Sequence, residues 1–265
     1  MSPVDLAFFE KQKIAWAAPP VDGVGYLPSL ELLKFSDDKI CRMIANLERE
    51  RYGIDGWRNH KNLWRSLLHG NVEGKRVIDF GCGVGVEALQ LARAGATVYV
   101  ADIVEESVAL AERVLALHGY VGKPVLLSGP EPFFTDEQVD CVPLDVFYSS
   151  GSVHHIPHVR EVLERAARGL GPEGEFRLML YSDVGWRIST ETVITPPVAE
   201  PVQENPLFDK FVKTFDYIGG YADWYSAEKL RYRFGDFLDL VRFDYICSDG
   251  AYCVATLKKK EGREV

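Results

Sequence analysis

Three glycines stand at alternate positions in Asp79-Phe80-Gly81-Cys82-Gly83-Val84-Gly85, between an apolar run and a helix-forming one. Only glycine lets a chain turn this sharply and lie against a ligand, because no Cβ intervenes. Free N–H groups at the following helix start ordinarily favour a phosphate. Asp79, just before the glycines, repels a pyrophosphate but suits a cationic amino-acid group. A second carboxylate, Asp102, ends the next apolar run, Val98-Tyr99-Val100-Ala101-Asp102, 17 residues after Gly85. An acid that binds the two hydroxyls of a ribose is expected there. The alternative, a tight strand-to-helix turn with no ligand, leaves Asp102 unexplained.

A second constellation follows in Asp145-Val146-Phe147-Tyr148-Ser149-Ser150-Gly151-Ser152-Val153-His154-His155-Ile156-Pro157. It reads as a strand leading into a loop with two adjacent histidines, at the carboxyl edge of a sheet where ligands bind. His154 or His155 can act near neutral pH as general base toward an acidic O–H or N–H. Neighbouring histidines point in different directions, so one of the two is open to a structural role. The next strand ends in Leu180-Tyr181-Ser182-Asp183. Asp183 can orient a histidine, bind a substrate amine, or simply cap the following turn.

From Lys75 onward, short apolar runs alternate with amphipathic stretches, the pattern of βαβ units around a parallel sheet. Strands are expected at 76–80, 97–101, 124–127, 145–149 and 175–181, with helices near 86–94, 105–118 and 159–170. Gly119 and Gly171 stand where C-terminal caps belong. Residues 1–70 look different and read as a helical N-terminal cap, with one helix starting at Ser36, carrying Ile40, Met43, Ile44 and Leu47, and ending at Gly53. The domain proper spans 71–265. Within it, 183–225 is too long and too aromatic for an ordinary connection and reads as a substrate lid. Ser226 caps a further helix that Gly235 stops, and two strands joined by Ser248-Asp249-Gly250 close the chain as a hairpin.

Asp79-x-Gly81-x-Gly83-x-Gly85 with the acid Asp102 resembles motif I and the following acidic motif of the class I S-adenosylmethionine-dependent methyltransferases, over about Lys75 to Tyr181. The resemblance implies an α/β fold: a Rossmann-like three-layer sandwich whose mostly parallel seven-stranded sheet has an antiparallel last strand. It also implies S-adenosylmethionine as cofactor and S-adenosylhomocysteine as product, with Asp79 and Gly81, Cys82, Gly83 and Gly85 around the methionine end. Asp102 would take the ribose and Ile103 would pack on adenine. Ser149-Ser150-Gly151 through His155 is similar to the fourth-strand motif of small-molecule methyltransferases, which puts Ser150 and Gly151 beside the sulfonium. Many relatives carry an acid after the third strand for the adenine amino group; this chain has Leu127-Ser128-Gly129-Pro130, leaving Ser128 or main-chain groups for that contact.

With 39 acidic against 30 basic residues the formal charge is −9, so no global field draws the chain to nucleic acid. No signal-like or transmembrane stretch is seen, and the five cysteines never take C-x-x-C spacing. A cytoplasmic protein without disulfides or metal is expected, as monomer or homodimer, and without nucleic-acid or membrane partners. The Asn/Asp-Pro-Pro-Tyr/Phe motif of DNA and protein-glutamine amino methylases is absent. Trp57, Arg58, Tyr181 and Trp224 are candidates to line a pocket for a small-molecule acceptor, methylated at O, N or C. Arg58 can also meet the cofactor carboxylate. The competing readings are a protein or RNA methyltransferase, and a non-catalytic nucleotide-binding Rossmann-like protein.

Overall fold

A strand buried on both faces must be apolar throughout, and the run Val77-Ile78-Asp79-Phe80 meets that demand with one exception, Asp79. In the computed structural model, which describes residues 3–17, 27–127, 134–140, 142–193, 206–215 and 221–260, this run forms the central strand β1 (Arg76–Phe80). Parallel neighbours are β2 (Thr97–Asp102) and β4 (Leu144–Ser150). The sheet continues through β3 (Gly122–Leu126) on one side and β5 (Leu170–Ser182), β8 (Tyr252–Lys259) and β7 (Leu238–Ile246) on the other. Its order is β3-β2-β1-β4-β5-β8-β7, with a short β6 (Trp224–Tyr225) beside the end of β5. Only β8 runs against the rest, pairing antiparallel with both β5 and β7. This is the expected Rossmann-like sheet with its antiparallel last strand.

Successive side chains of a strand point to opposite faces, and each face is covered by helices. Val77 and Val98 pack with Leu89 of α4 (Val86–Arg93) and Ala111 of α5 (Glu105–Leu117). Ile78 and Tyr99 pack on the other face with Val162 of α6 (Val159–Gly169) and Phe234 of α9 (Ala227–Phe234). The N-terminal segment contributes α1 (Pro3–Ala17), α2 (Ser29–Leu32) and α3 (Asp37–Tyr52). Helix α3 lies between Ser36 and Gly53 as its sequence implies, and Ile40, Ile44 and Leu47 share one core with Leu91 and Leu115. After β5 come α7 (Asp183–Thr190) and α8 (Phe208–Phe215).

Strand β3 starts at Gly122 and β5 at Leu170, earlier than expected, and one helix cap differs from expectation. Gly171 does not cap α6: the helix ends at Gly169, Leu170 is already extended, and Gly171 sits inside β5. Pairing of Leu170 with Leu144 across the sheet claims these residues before a helical cap can form. Among the described residues no helix is long and apolar enough to cross a membrane, and no group of three His, Cys, Asp or Glu side chains could hold a metal ion.

Candidate cofactor and active site

Where β1 ends, the Gly81 and Cys82 N–H groups both donate to the Ala101 carbonyl, at 2.8 and 3.0 Å, latching the turn to the end of β2. Gly81, Gly83 and Gly85 adopt φ of +79°, +50° and +80°, which L side chains rarely tolerate. A Cβ on Gly81 would lie 2.0 Å from Ser152 Oγ, and one on Gly85 2.8 Å from Ala111 Cα. The turn is therefore pressed between the β4 loop and α5 with no space for a larger residue. Asp102 accepts from the Gly83 N–H at 3.1 Å and from the Val104 N–H at 3.0 Å, and burial raises its pKa.

A cavity opens over this turn. Gly81 to Val84 line it, as do Asp102, Ile103 and Leu127 on the β2–β3 side and Ser150, Gly151 and His155 on the β4 side. Helix α1 supplies Phe8, Phe9, Gln12 and Trp16; a third group, Arg51, Arg58 and Glu87, completes it. These residues fit an adenosine carrying an amino acid: backbone too close for any Cβ, a carboxylate at the strand end for a ribose, apolar Ile103 and Leu127 for a base, and guanidinium groups for a carboxylate. Gly151, with φ +81°, is tied by its N–H to the Met179 carbonyl at 3.2 Å, while Ser150 Oγ is buried without a protein partner. Ser128 lies outside the described residues.

No local sequence pattern announces Glu87. Its carboxylate, nearly buried in the first turn of α4, accepts from Tyr148 at 2.7 Å, His69 at 2.9 Å, Arg51 and Trp64 at 3.3 Å, and from Tyr52 and Arg58. Arg58 lies over the rings of Trp57 and Trp64, 4.5 and 4.0 Å from their centroids. Burial, with the neighbouring Arg51 charge, lowers its pKa to about 10, so it stays cationic at neutral pH. Burial drives His69 to about 3, leaving a neutral ring that donates Nε2–H to Glu87, and lifts Tyr52 to about 12. Read alone, Glu87 looks like an acid favoured by the helix dipole; only the tertiary fold brings these donors to it.

The two histidines separate. His154 is wholly buried, its ring 4.0 Å from Tyr181 and 4.3 Å from His155, and neither nitrogen completes a hydrogen bond. Burial, then the His155 charge, hold its pKa well below the ordinary value, opposed by the Met179 carbonyl; it is neutral and lies behind the cavity wall. His155 faces the cavity, stacked 4.9 Å from Trp16, with Nδ1 2.9 Å from the Tyr221 carbonyl. A carbonyl only accepts, so Nδ1 carries the proton and Nε2 of the neutral ring carries the lone pair.

Several other expected site residues are not brought to the cavity. Asp79 sits behind the turn with Oδ2 unpartnered, and burial followed by the Asp102 charge raises its pKa to about 7. Asp183 accepts from Tyr245 at 2.8 Å and lines a separate hollow with Trp224 and Arg187. The cap of α7 is Ser182, which accepts from the Gly185 N–H at 3.0 Å, so Asp183 turns outward as the first helical residue. Trp57 packs on Tyr252 of the hairpin, 5.5 Å between rings, and Tyr181 backs His154. Of the four acceptor-binding candidates, only Arg58 lines the cavity.

Residues 78–176 match a family profile described as a methyltransferase domain. Over 113 residues the chain is 30% identical to the ubiquinone biosynthesis O-methyltransferase of Bordetella avium (strain 197N), covering 42% of this chain and 44% of that protein. The match thus spans less than half the length of this curated relative. Among solved structures, an S-adenosylmethionine-dependent methyltransferase from Mesorhizobium loti is 16% identical with a TM-score of 0.54, over 75% of this chain and 97% of that one. Magnesium protoporphyrin IX methyltransferase from Synechocystis PCC 6803, solved with bound SAH, is 16% identical with a TM-score of 0.50, over 97% and 96%. At such identities the structural likeness speaks for the fold.

Proposed function

We propose that the chain, acting through a class I S-adenosylmethionine-dependent methyltransferase domain, methylates an ionisable hydroxyl of a neutral small molecule. One observation carries this reading: His155 lines the same cavity as the glycine turn and Asp102. Bound S-adenosylmethionine supplies an electrophilic methyl on a sulfonium, which needs a nucleophile held in line at near-attack distance. In this assignment Gly81 to Gly83 and the Arg58 guanidinium hold the methionine end, Asp102 the ribose, and Ile103 and Leu127 the adenine. His155 Nε2 accepts the acceptor's proton as the oxygen attacks.

The lining supports the acceptor class. Its two carboxylates, Glu87 and Asp102, already accept hydrogen bonds from the protein, so a cationic amine meets no ready counter-charge. Phe8, Phe9 and Trp16 offer apolar, aromatic surface instead. Passage of α1 along the cavity favours a small molecule over protein or RNA. The likeness to an O-methyltransferase, 30% identical over 113 residues, is consistent with oxygen as the accepting atom.

Calorimetric titration with S-adenosylhomocysteine and, separately, with NAD tests the cofactor assignment. Saturable binding of the first alone is expected; binding of NAD without S-adenosylhomocysteine overturns it. A panel of matched phenols and benzylamines, assayed for methyl transfer, then tests the acceptor class, with turnover expected for the phenols.

A further inference from the structure

The segment 221–223 grips the histidine loop at two consecutive residues. The Tyr221 carbonyl accepts from His155 Nδ1 at 2.9 Å, and the Asp223 N–H donates to the His154 carbonyl at 2.8 Å. One contact orients the ring and the other fixes the backbone that carries it. A catalytic loop held only by its own turn has no such constraint.

The grip is itself anchored from inside the protein. Asp223 and Lys229 are both 1% exposed, and Lys229 Nζ donates to Asp223 Oδ1 at 2.6 Å. Arg233 Nη1 donates to Oδ2 at 2.6 Å, and Oδ1 also takes the Trp224 N–H at 2.8 Å. Lys229 and Arg233 sit one turn apart on α9, whose start is fixed by the Ser226 side chain accepting from the Lys229 N–H at 3.1 Å. Immediately after Asp223, Trp224 and Tyr225 pair with Tyr181 and Ser182 at the end of β5. Asp223 thus joins a helix and the end of a strand through its carboxylate, and the histidine loop through its N–H. None of Lys229, Arg233 and Trp224 lines the cavity, so the cluster does not touch cofactor or acceptor. Tyr221 adds a link to the other wall, its ring lying 6.4 Å from Phe8 of α1 in an edge-to-face contact.

We propose that Asp223, held by Lys229 and Arg233, is a positioning residue for His155. By fixing the Tyr221 carbonyl it restricts the ring to the tautomer with the proton on Nδ1 and the lone pair on Nε2. A buried charge cluster is a costly way to hold a loop, and it is explained when the loop must present one nitrogen and not the other. The inference deepens the reading of His155 as base and rests on it.

The test is nitrogen NMR of the full chain, labelled with 15N-histidine and saturated with S-adenosylhomocysteine, with His155→Gln used to assign the signals. In the native protein the His155 Nε2 signal is expected at the unprotonated, pyridine-like position. In Asp223→Asn it shifts toward the average of the two tautomers, while the dissociation constant for S-adenosylhomocysteine changes less than about threefold. Because Asp223→Asn strands the buried lysine and can fail to fold, the double variant Asp223→Asn, Lys229→Met removes both charges at similar volume and is measured alongside. His155 signals unchanged in a folded variant, or a native ring with its lone pair on Nδ1, overturn the proposal. Absence of S-adenosylhomocysteine binding in the native chain would instead sink the cofactor reading, whatever the histidine signals show.

Discussion

Tyr148 donates to Glu87 at 2.7 Å, tying the middle of the central sheet to the first turn of the helix that follows the glycine loop. The same carboxylate takes Arg51 and Tyr52 from the end of α3, so one side chain joins the N-terminal helices to the cofactor turn. Replacing one partner of a buried ionic cluster leaves the others uncompensated and costs about 3–5 kcal/mol. Glu87→Ala is expected to lose that much in urea unfolding. Glu87→Gln, which keeps a neutral acceptor of the same size among these donors, should lose clearly less. Equal, sub-kilocalorie losses in both would show that the cluster is not structural.

Gly81→Ala probes the tightness of the turn. A positive φ costs a non-glycine residue about 1–2 kcal/mol, and the new Cβ would stand 2.0 Å from Ser152 Oγ. Overpacking of this kind costs a further 1–3 kcal/mol or so. The substitution Ser152→Gly should restore the second part and leave the first, so that the double variant loses less than the two single losses added together. Additive effects would mean that Ser152 moves aside freely.

Asp102 and Asp79 should differ in kind. Asp102 lines the cavity at the end of β2, whereas Asp79 lies behind the turn. Loss of a hydrogen bond to a charged group costs roughly 1.5–3 kcal/mol, so Asp102→Ala is expected to weaken S-adenosylhomocysteine about 10- to 100-fold by calorimetry. Asp79→Asn, isosteric and out of contact, should change it only a few-fold. The reverse ranking would return the ligand-facing role to Asp79.

What the sequence made legible follows from range. The turn, Asp102 and the strand bearing His155 are short-range patterns in which local backbone demands and ligand demands coincide, and β1 runs over Arg76–Phe80 as expected. Side-chain direction at strand and helix ends is not local. Asp183 missed the cavity because Ser182 took the cap position, and Trp57 and Trp224 found apolar partners elsewhere. Glu87 was invisible because its donors come from positions 36 residues before it to 61 after it. Phe8, Phe9 and Gln12 line the cavity only because α1 docks over it, which no pattern within 3–17 announces.

The buried Asp79 carboxyl makes a pH-dependent contribution whose sign is fixed by its environment. Its pKa rises from the ordinary 3.8 to about 7, chiefly through burial. Between those values the folded chain holds a proton that the unfolded chain has lost, so folding stability falls as pH rises through this window. The full shift corresponds to about 4 kcal/mol as an upper bound. His69 works the other way, because its depressed pKa of about 3 makes stability rise with pH up to the ordinary 6.5. The two slopes oppose each other in the native protein, so the informative quantity is the difference between Asp79→Asn and native. Asn does not titrate, and any lost or gained hydrogen bond gives a constant offset. That difference, from urea unfolding without ligand, should be level below about pH 4, climb in favour of Asn through the window, and plateau by about pH 8. A flat difference from pH 4 to 8 would mean that Asp79 is ionised throughout, with a counter-charge closer than Arg58 and Arg51 provide.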